Sequence, residues 1–322
     1  TMGHVEITSS IGCNVEAGKV GTSKATALAA LCGQLDYDPA QVMCFGDGGN
    51  DVDMLRYCGP MIPTILLWGI IIVSDRYMVT YFVGSSANGL YSAASKIPNL
   101  VIMCASVFTD AWQLSAVDEY NNKDTARFFS KIFRVYCGGT FFVASFLILT
   151  CKIITKVLVA DAYFDSWQYV PVLIISTVFS CLVNFLASIY MAEKKNIMAM
   201  VTALTGAVTN VVLNLILIPR MGANGAAVAT ACAFVVVFLT RSRDTRRFIK
   251  INYQPVVLTC QTVVLVAQTV AALCLQGVWF YVAEALLFAL MLGMNWYQVV
   301  ELYKLVTTKM LSKLKKQKTE EE

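Results

Sequence analysis

Three ionisable side chains, Asp75, Arg76 and Lys96, lie inside stretches that are otherwise apolar. A charge at the centre of a bilayer costs roughly 2.5–3.5 kcal/mol on insertion scales, so such residues are expected in a protein-lined or water-filled cavity. Asp75 could pair with Arg76 or with Lys96, and either pairing leaves one cation over. A surplus positive charge that faces a cavity suits an anionic substrate such as a phosphate, whereas a purely structural ion pair is the alternative. The three residues are therefore the candidate substrate-binding residues.

The composition indicates that these residues belong to a membrane protein. The chain has 322 residues, of which 57% are apolar and 14% are charged. A typical soluble domain has about 45–50% apolar and about 25% charged residues. The net charge of +4 gives no argument for a nucleic-acid partner. The 11 cysteines form no C-x-x-C pair, and seven of them lie in apolar runs, where they are expected to act as small hydrophobic side chains: Cys104, Cys137, Cys151, Cys181, Cys232, Cys260 and Cys274.

The hydropathy pattern divides the chain near Gly59 and Pro60. Residues 1–58 are polar and mixed, and they are typical of an incomplete α/β segment with a strand near 4–9 and a helix over 24–35. Residues 60–300 predict an all-α polytopic domain, because a membrane helix needs about 20 mainly apolar residues. Residues 301–322 form a basic tail. The eight predicted spans cover about 60–83, 87–111, 133–151, 169–191, 197–218, 223–240, 256–275 and 279–299.

The distribution of Lys and Arg predicts the orientation of these spans. Seventeen basic residues lie on the side shared by the two ends of the chain, and three, Lys152, Lys156 and Arg220, lie on the other. The bias predicts cytoplasmic termini, which an even number of spans allows. In this arrangement Asp75, Arg76 and Lys96 lie at a similar depth, about 12 Å from the outer end of their helices at 1.5 Å per residue. Glu284, near the start of the last span, is expected to mark the membrane interface.

Several motifs in the apolar part occur in a characteristic order. They are Ser74 to Tyr77, Asn88 to Pro98, Ala111 to Gln113, Glu193 to Lys195, and Asn214 to Ala227. Over about residues 60–300 this order resembles the C-terminal half of polysaccharide-biosynthesis flippases, which belong to the multidrug, oligosaccharidyl-lipid and polysaccharide exporter superfamily. The resemblance implies one six-helix lobe plus two extra helices, with the first lobe outside this sequence. It also implies that Arg76 and Lys96 contact a lipid pyrophosphate and that Asp75 holds one of these two cations in place.

A second motif, Phe45 to Asp51, lies in the polar segment. Together with Lys24 it resembles the last motifs of Cof-type haloacid-dehalogenase-like hydrolases. By this resemblance Asp47 and Asp51 would ligate Mg²⁺, Asn50 would hydrogen-bond within the site, and Lys24 would neutralise phosphate charge. Mg²⁺ at this vestigial motif is the one cofactor implied, and the transport part implies none.

The nucleophile of such a hydrolase is not found in its usual setting. These enzymes use the first aspartate of an Asp-x-Asp motif that follows a hydrophobic strand. Asp36 and Asp38 follow the predicted helix, and Asp51 and Asp53 overlap the metal motif. The segment is therefore predicted to be catalytically inactive, and its join to the membrane part is more typical of recombination or gene assembly than of a regulatory fusion.

The sequence thus favours a multi-pass protein of the plasma (inner) membrane that flips a lipid-linked glycan precursor by alternating access. The expected partners are membrane lipids, a lipid pyrophosphate-linked glycan, and either the missing first lobe or a second copy. Two other functions remain open. One is a membrane-tethered Mg²⁺-dependent phosphatase. The other is a cation-coupled multidrug exporter, for which a lone acidic site would be expected instead of surplus basic charge.

Overall fold

The fold is that of an all-α polytopic membrane protein with a short N-terminal α/β segment. The computed structural model describes residues 5–8, 16–19, 23–35, 37, 42, 44, 62–118, 124–193, 196–296 and 298. The elements are β1 (Val5–Thr8), β2 (Glu16–Lys19), α1 (Lys24–Leu35), α2 (Ile62–Phe82), α3 (Ser85–Ala94), α4 (Pro98–Asp118), α5 (Thr125–Leu149), α6 (Cys151–Leu158), α7 (Val170–Ala192), α8 (Asn196–Met221), α9 (Ala223–Asp244), α10 (Pro255–Cys274) and α11 (Gly277–Trp296).

Most of the eight predicted spans correspond to long apolar helices in the described ranges. Six helices in the described ranges are long and apolar enough to cross a membrane, and the bent pair α3 and α4 would make a seventh. Helix α2 has 21 residues, which corresponds to about 30 Å and matches the hydrocarbon thickness. α2 coincides with the first predicted span, 60–83, but it is not among the six or seven helices identified in this way, so the count of eight stays a prediction.

Helix α7 forms the centre of the bundle, and α11 lies at its edge. In the apolar window of α7, 78% of the residues are buried, against 17% in α11. α7 packs against α4, α5, α9 and α10. Buried hydrogen bonds reinforce this packing: Trp112 Nε1 of α4 donates to Ser188 Oγ of α7 at 2.8 Å. α7 is uniformly apolar because it has neighbours on every side.

Small residues bring α8 and α9 into close contact, as the alanine- and glycine-rich sequence of α9 predicts. A Cβ atom added at Gly225 would lie 2.5 Å from the carbonyl oxygen of Leu217. The turn between the two helices uses Gly222 with φ of 62°, a conformation that favours glycine.

Arg241 departs from its predicted place among the basic residues of a connecting loop. It lies within α9 with 2% of its surface exposed. Its guanidinium donates to Val183 O of α7 at 2.9 Å and to Thr202 Oγ1 of α8 at 3.0 Å. A buried arginine requires such partners, so Arg241 joins three helices and does not serve as an orientation signal.

The N-terminal segment contains a hairpin that the sequence patterns did not predict. β1 and β2 pair antiparallel, with Val5 opposite Lys19 and Thr8 opposite Glu16. β1 and α1 confirm the expected strand and helix. β2 was missed because Glu16 to Lys19 has little apolar character.

Candidate functional site

Asp75 lies at the centre of a polar cluster that joins four helices of the bundle. Only 4% of its surface is exposed. Oδ1 of Asp75 accepts hydrogen bonds from Asn214 Nδ2 at 2.6 Å and from Asn210 Nδ2 at 3.1 Å. Oδ2 accepts from the hydroxyls of Thr230 and Tyr91. One carboxylate on α2 is thus surrounded by donors from α3, α8 and α9.

The amide side chains of this cluster also bond to one another. Asn214 Nδ2 donates to Asn210 Oδ1 at 3.1 Å, and Asn210 Nδ2 donates to Thr230 Oγ1 at 3.1 Å. Ser74 Oγ donates to Asn210 Oδ1 at 3.0 Å. Asn210 and Asn214 are four residues apart, so they lie on the same face of α8. This spacing of two asparagines within an apolar span is the sequence signal for the cluster, and the sequence-based prediction did not use it.

The predicted ion pair of Asp75 with Arg76 or Lys96 is wrong. Among the residues that the structure describes, the salt bridge within 4.0 Å joins Arg247 and Asp244, and neither Arg76 nor Lys96 reaches a carboxylate. Consecutive residues on a helix project about 100° apart and do not face each other. Asp75 therefore points into the bundle while Arg76 points out of it.

Arg76 and Lys96 are both exposed, on neighbouring elements. Lys96 lies in the turn Ser95 to Ile97 between α3 and α4, where the two helices are bent by 41°. Tyr91 of α3 bonds to Asp75 of α2 at 3.3 Å, which ties the segment bearing Lys96 to the helix bearing Arg76. The structure thus brings two exposed cations onto joined elements but leaves Asp75 enclosed, so Asp75 does not present a surface to a substrate.

The Asp75 cluster has the chemistry of a buried carboxylate held by neutral hydrogen-bond donors. No group of three or more His, Cys, Asp or Glu residues that could hold a metal ion occurs in the described ranges. The Asp75 cluster instead combines one carboxylate with amide and hydroxyl oxygens. Asn214 Oδ1 is buried without a hydrogen-bond partner. Four neutral donors stabilise the carboxylate, which has no counter-cation within 4.0 Å in the part of the chain described.

An apolar groove of about 520 Å³ lies between α4 and α5. Its lining includes Val101, Cys104 and Phe108 from α4 and Tyr136 and Val143 from α5. Val101 follows Lys96 by five residues, about 8 Å along a helix axis at 1.5 Å per residue. The groove therefore begins close to the break that carries Lys96.

Glu284 is a buried residue whose burial the sequence-based interpretation did not predict. It was expected at the membrane interface, but none of its surface is exposed. Glu284 Oε2 accepts from Gln268 Nε2 at 2.9 Å, and Gln268 Oε1 accepts from Ser145 Oγ at 2.7 Å. Glu284 Oε1 is buried without a partner. The sequence signal was Gln261 and Gln268, seven residues apart on one face of α10.

Most of the predicted hydrolase residues cannot be placed. Asp47, Asn50 and Asp51 lie outside the described residues. Lys24 is the first residue of α1 and is exposed. The magnesium site and the phosphate contacts proposed for this motif stay predictions.

The comparisons with known proteins separate the same two parts of the chain. Residues 2–62 match the family model described as haloacid dehalogenase-like hydrolase. The structure is similar to that of the lipid II flippase MurJ in an inward closed conformation, with a TM-score of 0.57 and 14% sequence identity. This likeness covers 79% of the present chain and 55% of that flippase, so the chain spans about half its length. No curated protein matches the sequence. The membrane part therefore has a flippase-like fold, and the N-terminal part carries a hydrolase-like sequence.

Proposed function

We propose that the membrane part is the cation-bearing half of a carrier that moves a lipid-linked glycan precursor across the membrane by alternating access. The observation that carries the proposal is the position of Lys96 at the break between α3 and α4, beside a helix that exposes Arg76. Discontinuous helices place binding sites near the bilayer midplane in many transporters. Two cations without a carboxylate partner match the charge of a pyrophosphate.

The apolar groove between α4 and α5 supports a lipid-linked substrate. A pyrophosphate-linked lipid needs cations for its head and an apolar surface for its tail. The groove of about 520 Å³ begins at Val101, close to Lys96, so both surfaces occur side by side. A soluble phosphate ester has no apolar tail that would occupy the groove.

Binding of a polyprenyl pyrophosphate-linked disaccharide to the purified chain in neutral detergent tests this function. We expect Lys96→Ala to weaken binding on the order of tenfold, because a charge-assisted contact contributes about 1.5–3 kcal/mol. Lys156→Ala is the matched control, since Lys156 is also exposed but belongs to α6 and not to the α3–α4 segment that carries the break. Equal binding by the native chain and by Lys96→Ala would count against the assignment.

Two further properties belong to the same proposal. The chain lies in the plasma (inner) membrane with both termini in the cytoplasm, and it works with a first lobe or with a second copy. The orientation is supported by the excess of Lys and Arg on one side. A membrane-impermeant amine reagent applied to intact cells should label Lys156 and spare Lys250, and the reverse result would invert the topology.

We also infer that residues 1–58 do not hydrolyse phosphate esters. The match of residues 2–62 to the hydrolase family supports the origin of this segment, but no Asp-x-Asp pair follows a hydrophobic strand. The purified chain should not turn over a generic phosphate ester in the presence of Mg²⁺. Turnover that Asp47→Ala abolishes would establish a membrane-tethered phosphatase instead.

The multidrug exporter is the remaining alternative for the membrane part. It would place an acidic residue in contact with a cationic drug, whereas Asp75 is enclosed by four donors. In the binding assay, competition by a lipophilic cationic dye instead of by pyrophosphate would favour the exporter.

A further inference from the structure

A second cluster of cations lies away from Lys96, at the end of the bundle where α5 begins. It lines a pocket of about 500 Å³, within the range of roughly 300–1,000 Å³ typical of small-ligand sites. The lining residues are Ala126, Arg127, Ser130, Lys131, Arg134, Lys250 and Asn252. Four of these seven are basic and none is acidic.

The spacing of the α5 residues explains why their side chains converge. Arg127, Lys131 and Arg134 follow one another at intervals of four and three residues, so they share one face of the helix. Lys250 comes from the segment that leads from α9 to α10. Cations from two parts of the chain therefore face one concavity, whereas an orientation signal alone requires only that they lie on one side of the membrane.

Hydrogen bonds hold the two walls of this pocket together. Asn252 N–H donates to Ser130 Oγ at 3.0 Å, and Ser130 Oγ donates to Ala126 O at 2.6 Å. The loop that carries Lys250 is thus fixed to the first turns of α5. The pocket is formed by connected elements and does not depend on an ordered ligand.

Arg134 is half-buried and lines the same pocket. Its Nε is buried and has no hydrogen-bond partner in the described part of the chain. The charge of its guanidinium adds to those of Arg127, Lys131 and Lys250 at one concavity, and such a concentration of positive charge favours an anion. Asp124, three residues before Arg127, forms no ion pair with it within 4.0 Å.

The position of the pocket along α5 identifies the kind of anion. α5 has 25 residues, about 37 Å in length, which exceeds a hydrocarbon core of about 30 Å. The span predicted from hydropathy begins at residue 133, so the first two turns of α5 precede it and are expected in the headgroup layer, where lipid phosphates are concentrated. Basic pockets between membrane helices are suited to anionic headgroups.

We propose that this pocket, formed by Arg127, Lys131, Arg134 and Lys250, binds the phosphate of an anionic phospholipid headgroup. The site is separate from Arg76 and Lys96 and does not depend on the transport function. Ser130 and Asn252 position its walls. A phospholipid bound here would tie α5 to the segment that precedes α10.

The test uses the full chain in neutral maltoside micelles and a phosphatidylglycerol with a fluorescent tail as the probe. Fluorescence anisotropy would measure its affinity for Arg127→Gln/Lys250→Gln and for a control of equal charge change, Arg243→Gln/Arg247→Gln. Each cation near an anionic surface contributes about a factor of five, so the pocket variant, which lacks two cations, should bind about 25-fold more weakly. The control should change less than about twofold, because a surface ion pair such as that of Arg247 contributes little.

Competition experiments identify the source of the phosphate. Unlabelled phosphatidylglycerol should displace the probe, phosphatidylcholine should not, and inorganic phosphate should compete only weakly. Lys156→Ala should leave the affinity unchanged, since Lys156 is exposed and does not line the pocket. Equal affinity of the two double variants, or displacement by phosphatidylcholine at equal concentration, would overturn the proposal. Binding of inorganic phosphate that depends on Arg127 and Lys250 while lipid binding does not would also overturn it.

Discussion

Two buried carboxylates in the membrane part differ in how completely they are hydrogen-bonded. Asp75 of α2 accepts from Tyr91, Asn210, Asn214 and Thr230. Glu284 of α11 accepts from Gln268, and one of its oxygens has no partner. The first lies between helices of the lobe, and the second lies between the lobe and the outermost helix.

The difference indicates what each carboxylate does. A buried charge requires compensation, and Asp75 receives it from three helices, so it fixes the relative positions of α2, α3, α8 and α9. Glu284 receives far less, with one hydrogen bond from Gln268 and one oxygen without a partner in the described part of the chain. The arrangement predicts that the Asp75 cluster is a structural centre of the lobe and that the Glu284 network only helps to attach α11.

Loss of Asn214 should have the largest effect. Asn214→Leu removes the donor at 2.6 Å from Asp75 and the bond to Asn210. Removing one partner of a buried charge costs about 3–5 kcal/mol, and we expect a loss of unfolding free energy of this size in thermal denaturation in detergent. Asn99→Leu, at an exposed position of α4, is the control. A loss below about 1 kcal/mol would show that Asp75 does not depend on its donors.

Replacing each carboxylate by its neutral amide should change the unfolding free energy by different amounts at the two sites. Asp75→Asn places an NH₂ group against existing donors, and we expect a loss of about 2 kcal/mol. Glu284→Gln keeps the oxygen that accepts from Gln268 and places its NH₂ where Oε1 has no partner, so we expect a change of less than about 1 kcal/mol. Both values come from the same unfolding experiment. Equal losses would contradict the distinction between the two sites.

Alanine substitutions at closely packed glycines should change the unfolding free energy by a smaller amount. A Cβ at Gly225 would meet the backbone of α8 at 2.5 Å, whereas one at Gly138 would meet the side chains of Asn295 and Gln298 at 2.8 Å or more. Because backbone cannot move aside as a side chain can, Gly225→Ala should cost about 1–3 kcal/mol and Gly138→Ala less. Gly139→Ala, where nothing lies within 4 Å, should be neutral or stabilising.

The sequence predicted the fold well because hydrophobic length determines membrane helices. Spans such as α7 and α8 were found within a few residues, and the break before α11 occurs near Gln276 and Gly277 as expected. The seven cysteines in apolar runs have free thiols. These features depend on local composition.

The partners of the charges could not be predicted in the same way. Asp75 bonds to residues that are 135, 139 and 155 positions away, whereas the sequence suggested Arg76 or Lys96. Glu284 was assigned to the interface because it lies near the start of the last span. Its burial in the protein depends on packing against α10, which the sequence did not reveal. Contacts between residues far apart in the sequence determine the partners of Asp75 and the burial of Glu284. Local composition does not predict such contacts. The asparagine and glutamine spacings on α8 and α10 contained the useful signal.

The central claim is that Arg76 and Lys96 bind the substrate while Asp75 maintains the fold. Measuring affinity for the polyprenyl pyrophosphate-linked disaccharide together with unfolding free energy, for Arg76→Gln and Asp75→Asn, tests it most directly. Arg76→Gln should bind on the order of tenfold more weakly with nearly unchanged stability, because it loses a charge-assisted contact. Asp75→Asn should be less stable, with unchanged affinity in its folded fraction. The opposite pattern, a stable Asp75→Asn that no longer binds and an Arg76→Gln that binds normally, would contradict the account.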